Sequence, residues 1–168
     1  MERVLYPGTF DPITNGHEDL VRRGAKLFTE VVVGVAADTG KSAVFPLEQR
    51  VALVKGVLED LPNVRVLPFH GLLVNFVHAQ QARIILRGLR AISDYEHEFQ
   101  LASINRRMDA QIETLFLMTS DHNTFLSSSL VREISRLGGD VSPFVHPQVA
   151  RALSRHYQEA ADRPVQLL

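Results

Sequence analysis

Short apolar runs recur along the chain at Val4-Leu5-Tyr6, Val31 to Ala37, Val64-Arg65-Val66-Leu67, Arg83-Ile84-Ile85-Leu86 and Leu115-Phe116-Leu117-Met118. Each is rich in β-branched or aromatic residues and short enough for a buried strand, so the pattern predicts five strands. Helical patterns fill the intervals at residues 17–28, 47–58, 73–80 and 94 to about 107, and two more follow the last strand at 129–137 and 147–159. Strands alternating with helices require crossover connections, because parallel neighbours cannot be joined by hairpins. The predicted class is α/β: a doubly wound five-stranded parallel sheet with helices on both faces.

Local signals sharpen the boundaries. Asn15, with Glu18 three residues on, is predicted to cap the first helix, and Pro46 suits the start of the second. Gly138-Gly139 is expected to end the fifth helix, with Pro143 and Pro147 breaking the way into the sixth. No repeat or linker divides the chain. Residues 1–161 therefore read as one domain, and residues 162–168 as a tail expected to be mobile.

Composition adds exclusions. At 168 residues the chain suits a single core. Lys plus Arg number 18 against 19 Asp plus Glu, so no nucleic-acid or anionic membrane partner is expected, and any anion site must be a local concentration of positive charge. The absence of Cys rules out disulfides, thiolate metal sites and thiol nucleophiles, and fits a reducing compartment. No run approaches the ~20 apolar residues of a membrane helix, and Val4 opens a strand with no signal-peptide core before it. A cytoplasmic protein is expected.

In an open parallel sheet, ligands bind beyond the carboxyl ends of the strands. After the first run comes Tyr6-Pro7-Gly8-Thr9-Phe10-Asp11-Pro12-Ile13-Thr14-Asn15-Gly16-His17, whose hydroxyls and helix N-terminus suit a phosphate. After the fourth, Arg87-Gly88-Leu89-Arg90 places two guanidinium groups around a glycine, and arginine is the residue that holds a phosphate by paired hydrogen bonds. After the fifth, Ser127-Ser128-Ser129 precedes a helix. Taken alone, such a run is most often simple capping. Lys41, in a loop after the second run, is the weakest of these signals. All four fall at strand ends and all supply donors or positive charge. Neither G-x-x-x-x-G-K-[ST] nor G-x-G-x-x-G occurs, and the seven histidines are scattered, so no protein metal cage is expected.

Thr14-Asn15-Gly16-His17 resembles the T/H-x-G-H motif of the nucleotidylyltransferase superfamily, and Ser127-Ser128-Ser129-Leu130-Val131-Arg132 is similar to its I-S-S-T-x-x-R segment. The full string from Tyr6 to His17, with Arg87-Gly88-Leu89-Arg90 and the acidic Asp94, Glu96 and Glu98, narrows the resemblance to bacterial phosphopantetheine adenylyltransferases. It runs from about residue 3 to about residue 157 and implies a Rossmann-like nucleotidylyltransferase fold. It implies that AMP passes from ATP to 4′-phosphopantetheine, with His17 stabilising the transition state. It further implies that Thr9 contacts both substrates, and that Lys41, Leu73 and Arg87 bind phosphopantetheine. ATP would be held by Phe10, His17, Gly88, Leu89, Arg90, Glu98, Asn123, Thr124, Phe125, Leu126, Ser127, Ser128 and Ser129. Mg²⁺ held mainly by ATP phosphates, a homohexamer and coenzyme A as a feedback ligand are implied in the same way. Two departures stand out: Thr14 fills the first His slot of the wider motif, and Leu126 replaces the usual Ile.

The chemistry explains why no base is needed. A phosphate monoester has a second pKa of about 6, so the attacking oxygen is already largely deprotonated. Catalysis can rest on positioning and charge stabilisation. For His17 the sequence leaves both protonation states open, since a helix N-terminus lowers a histidine pKa and phosphates raise it. Rival readings are a nicotinamide-mononucleotide adenylyltransferase, a cytidylyltransferase, a class I aminoacyl-tRNA synthetase fragment or a non-catalytic nucleotide-binding regulator. The first two would share the His motif and the Ser run without Arg87 to Arg90, and the third lacks anything like K-M-S-K-S.

Overall fold

A computed structural model describes residues 2–38, 43–90, 92–120 and 125–161. In chain order the elements are β1 (Arg3–Gly8), α1 (Asn15–Leu27), β2 (Glu30–Ala36), α2 (Leu47–Val57), β3 (Val64–Phe69), α3 (Leu73–Ala79), β4 (Ile84–Leu89), α4 (Ile92–Met108), β5 (Glu113–Met118), α5 (Ser128–Arg136) and α6 (Pro147–Ala161). The predicted tail lies outside the described residues.

All pairings are parallel, in the order β3-β2-β1-β4-β5. Side chains that alternate along each strand supply two cores, as a period of two requires. Val4, Tyr6, Val31, Val33, Val35 and Leu86 face α1, α2, α5 and α6 through Leu20, Val54, Val131 and Leu153. Leu5, Val32 and Ile85 face the other way, onto Val74 and Val77 of α3. Both faces are thereby covered, which a parallel sheet demands.

The chain winds outward from β1 to β3, then crosses back to β4, so the order reverses between β1 and β4. Such a switch point is where doubly wound sheets bind ligands. The register shows why a crevice opens here. β1 pairs with β2 along its whole length, from Arg3↔Glu30 to Gly8↔Val35, yet with β4 only at Val4↔Ile84 and Leu5↔Ile85. Beyond those pairs the two strands part.

Two expectations need correction. Arg87, Gly88 and Leu89 lie within β4 and not beyond it, because pairing to β5 continues to Leu89↔Met118 after β1 has departed. Gly88 lets α1 pack close to the strand: a Cβ there would stand 2.3 Å from Cδ1 of Leu20, whose side chain would have to shift. The first helix is capped by Thr14 and not by Asn15, since Thr14 is extended (φ −120°, ψ 167°) while Asn15 is already helical. Asn15 instead donates through Nδ2 to the Pro143 carbonyl at 3.1 Å, and Glu18 pairs with Arg22. Pro46 stands at the cap of α2, and Gly138 follows α5 with φ +80°, both as expected.

Candidate active site

The crevice widens into a cavity of about 710 Å³. Thr9, Thr14 and His17 line it from the β1–α1 side, Arg87 and Arg90 from β4 and its end, and Ser127 to Ser129 from the start of α5. A second arm runs between Leu73 of α3 and Leu101 and Asn105 of α4. That size suits a ligand in the range of a nucleotide with an extended acceptor.

His17 is the third residue of α1, and its ring folds back on the cap. The Thr14 backbone N–H donates to Nδ1 at 3.1 Å, and the Thr14 hydroxyl lies 3.0 Å from the same nitrogen. This is a capping box with histidine in the place usually taken by Glu or Gln. Because Nδ1 accepts, the neutral ring carries its proton on Nε2. The ring also packs edge-on against Phe10, centroids 5.2 Å apart. Burial, reinforced by the positive charges of Arg90 and Arg87, lowers the His17 pKa to about 4. Imidazole at neutral pH is therefore a neutral donor, and the choice left open by the sequence falls on that side for the protein without ligand.

The two arginines face different ways. Arg87 points towards α4, where Nε and Nη2 donate to the two carboxylate oxygens of Glu98 at 2.7 and 2.5 Å, and Nη1 donates to the Pro7 carbonyl at 2.8 Å. That last bond spans the parted strands where the backbone ladder has ended. Arg90, three residues on, donates to the Leu126 carbonyl at 3.0 Å on the α5 side. Arg87 belongs to β4, whereas Arg90 follows its last residue, Leu89.

At α5 the serine run divides its tasks. Ser127 is the cap and accepts from the Leu130 backbone N–H at 3.1 Å, while the Ser128 hydroxyl donates to the Pro12 carbonyl at 2.8 Å. Arg132 reaches the same loop, donating to the Asp11 carbonyl at 2.5 Å and lying 3.3 Å from its carboxylate. The Asp11 carboxylate, only 4% exposed as a residue, accepts from the Val44 and Phe45 backbone N–H groups at 2.9 Å each. Arg50 of α2 is buried as well, and its guanidinium donates to the carbonyls of Phe45 (3.1 Å), Thr9 and Ala36 (2.7 Å each). Asp11, Arg50 and Arg132 hold the cradle from behind. In the sequence the first two carry no distinguishing signal, since Asp11 lies in a polar loop and Arg50 directly follows Glu48 and Gln49.

Of the residues singled out in the sequence, Thr9, His17, Leu73, Arg87, Gly88, Arg90, Glu98, Leu126, Ser127, Ser128 and Ser129 line this one cavity. Phe10 does not: its ring is 1% exposed and lies beneath His17, with its backbone at φ 47°. Leu89 ends β4 outside the lining, and the Phe125 side chain is 86% exposed. Lys41, Asn123 and Thr124 lie outside the described residues, as does the side chain of Asp94. Among the described residues no group of three or more His, Asp or Glu could hold a metal ion, and no helix is long and apolar enough to cross a membrane.

Comparison with known proteins shows the family. The cytidylyltransferase-like family model matches residues 5–134, from β1 into α5. A phosphopantetheine adenylyltransferase of Nitrosospira multiformis is 56% identical over 153 residues, covering 91% of this chain and 93% of that protein. Among solved structures, a lipopolysaccharide core biosynthesis protein from Thermoplasma volcanium is 29% identical with a TM-score of 0.53, over 71% of this chain and 97% of its own. A bifunctional NMN adenylyltransferase/ADP ribose pyrophosphatase from Francisella tularensis shares the fold alone, at 14% identity and a TM-score of 0.67, over 94% of this chain and 52% of its own. The helix-capping histidine, the arginines on β4 and its end, and the serine run at α5 all lie in the matched span, and the chain belongs to the cytidylyltransferase-like family and, within it, to the phosphopantetheine adenylyltransferases.

Proposed function

We infer that this cavity transfers AMP from ATP to 4′-phosphopantetheine, giving dephospho-coenzyme A and pyrophosphate in a reversible step of coenzyme A biosynthesis. The observation that carries this reading is His17, a neutral Nε2–H donor held at a helix N-terminus and flanked by two arginines. In the reaction, a phosphate oxygen of phosphopantetheine attacks the α-phosphorus of ATP. The new P–O bond forms as the bond from the α-phosphorus to the bridging oxygen breaks, and pyrophosphate leaves with that electron pair. No proton need be removed from the nucleophile near neutral pH, since the second phosphate pKa is about 6. His17 donates to the α-phosphate oxygens, where charge grows, and the α1 N-terminus adds its positive end.

In this reading the roles are those that the family resemblance implies. Thr9, in the cavity lining, would contact both substrates. Arg87, with Leu73 and Lys41, takes phosphopantetheine, whose apolar arm suits the groove between Leu73 and Leu101. Arg90, Gly88, Leu89, Phe10 and residues 123–129 take ATP, with Phe10 contributing main chain only, since its ring is buried. Glu98 acts through Arg87, to which both of its carboxylate oxygens are bound. Glu98 is also the acidic residue among those described in the cavity lining, which fits a Mg²⁺ held by triphosphate oxygens and water instead of a protein cage. When bound, that ion neutralises charge on the departing pyrophosphate.

A homohexamer in the cytoplasm is part of the same reading. It is supported by Tyr95 and Phe99, which stand one turn apart on α4, stack with centroids 5.9 Å apart and are both exposed. Coenzyme A, which shares the phosphopantetheine arm, would compete for the cavity as a feedback ligand. The test is pyrophosphate release with ATP, Mg²⁺ and each of three acceptors. Release with 4′-phosphopantetheine alone is expected; equal turnover with nicotinamide mononucleotide or glycerol 3-phosphate would contradict the assignment.

A further inference from the structure

Tyr6 of β1 is 4% exposed, and its ring packs edge-on against Phe10 with centroids 5.6 Å apart, on the side of the sheet that carries His17. Its hydroxyl makes no hydrogen bond to any described residue. A buried tyrosine hydroxyl ordinarily finds a partner, because leaving it unpaired costs free energy. Among the described residues no fully buried side-chain oxygen lacks a partner, so the Tyr6 hydroxyl keeps some contact with open space, and the space that Tyr6 borders is the cavity. We propose that Tyr6 is a further substrate contact, donating through its hydroxyl to a phosphate oxygen of the bound substrates on the His17–Arg90 side of the cavity.

The chemistry favours a donor and not a base. Burial raises the Tyr6 pKa far above its ordinary value of 10.0, against the opposing charges of Arg87 and Arg90. The hydroxyl thus keeps its proton at any working pH, and it offers one hydrogen to an anion that the nearby guanidinium groups attract. A hydroxyl gives what the arginines cannot: a donor that adds no charge, and so leaves His17 neutral. The ring itself is placed by core packing with Val4 and Leu86, so the oxygen is held in position before any ligand arrives.

This inference rests on adenylyl transfer as the reaction, so wild type and Tyr6→Phe are compared in one assay of pyrophosphate release with ATP, Mg²⁺ and 4′-phosphopantetheine. Tyr6→Phe removes one oxygen and no packing area, and its melting temperature should stay near that of wild type. A loss of roughly 10- to 100-fold in kcat/KM is expected, the range for a hydrogen bond to a charged group. A raised KM for ATP, with weaker ATP binding by calorimetry, places the contact on the nucleotide. A raised KM for phosphopantetheine places it on the acceptor, and a fall in kcat alone places it at the transition state. Kinetics within twofold of wild type would overturn the proposal, leaving the hydroxyl to solvent, as would a loss fully explained by a lower fraction of folded protein. Should wild type itself release no pyrophosphate, the reaction assignment falls and this contact with it.

Discussion

The backbone N–H of Thr14 donates to Nδ1 of His17 at 3.1 Å, and that bond decides which ring nitrogen is left to act. One interaction caps the helix and sets the tautomer of the ring. The cap satisfies an orphan N–H at the start of α1, while the proton it leaves on Nε2 is the one proposed to reach the α-phosphate.

The first prediction concerns the donor itself. His17→Ala should lower kcat by about 10²–10³, equivalent to roughly 2.7–4 kcal/mol, with a much smaller change in ATP affinity. Steady-state kinetics set beside ATP calorimetry separate the two. An unchanged kcat with a raised KM for ATP would make His17 a ground-state contact.

The second prediction separates the arginines. Lys keeps the charge and loses the planar fork. Arg87→Lys cannot serve both oxygens of Glu98 and the Pro7 carbonyl together, so it should weaken phosphopantetheine binding by about tenfold or more and leave ATP binding near wild type. Arg90→Lys, on the other side of β4, should do the reverse. Calorimetry with each ligand alone is the measurement; weakening of the same single ligand by both variants would show that the pair acts as one clamp.

The third prediction tests the support behind the cradle. Asp11→Ala leaves the Val44 and Phe45 N–H groups without their acceptor and the partly exposed Arg132 guanidinium without its carboxylate. A loss of roughly 3–5 kcal/mol is expected, since each amide donor left without its acceptor costs about 1–3 kcal/mol and the Arg132 pair adds up to about 1. That corresponds to roughly 6–20 °C in Tm for a domain of this size. Arg132→Met should cost less, because Asp11 retains both amide donors. Thermal unfolding decides, and a Tm within a degree of wild type for Asp11→Ala would contradict the role.

The strands were legible from sequence where β-branched residues run together, as at Val31 to Val35, and the binding loops were legible because glycine, proline and hydroxyl residues collect at strand ends. Three features were not. The cap at Thr14 was hidden because histidine is not a usual capping-box residue. The extension of β4 was hidden because Arg87-Gly88 reads as a loop, and only pairing with Phe116 and Leu117 of β5 makes it a strand. The Asp11 support joins residues 33, 34 and 121 positions apart, and the Arg50 contacts reach across 41 positions to Thr9, separations at which local pattern carries no information.

In the proposed reaction His17 is neutral and protonated on Nε2 when substrates arrive. Because its pKa in the folded protein, about 4, lies below the ordinary 6.5, the unfolded chain takes up the proton first as pH falls. His17 therefore contributes stability that is whole above about pH 6.5 and is lost as pH falls towards 4. The direct measurement is a ¹⁵N NMR titration of the imidazoles in the ligand-free protein, with the His17 signals assigned by their absence in His17→Gln. The account predicts a ring protonated on Nε2 alone through neutral pH and titrating near pH 4. A His17 that titrates near 6.5, or that carries its neutral proton on Nδ1, would contradict it.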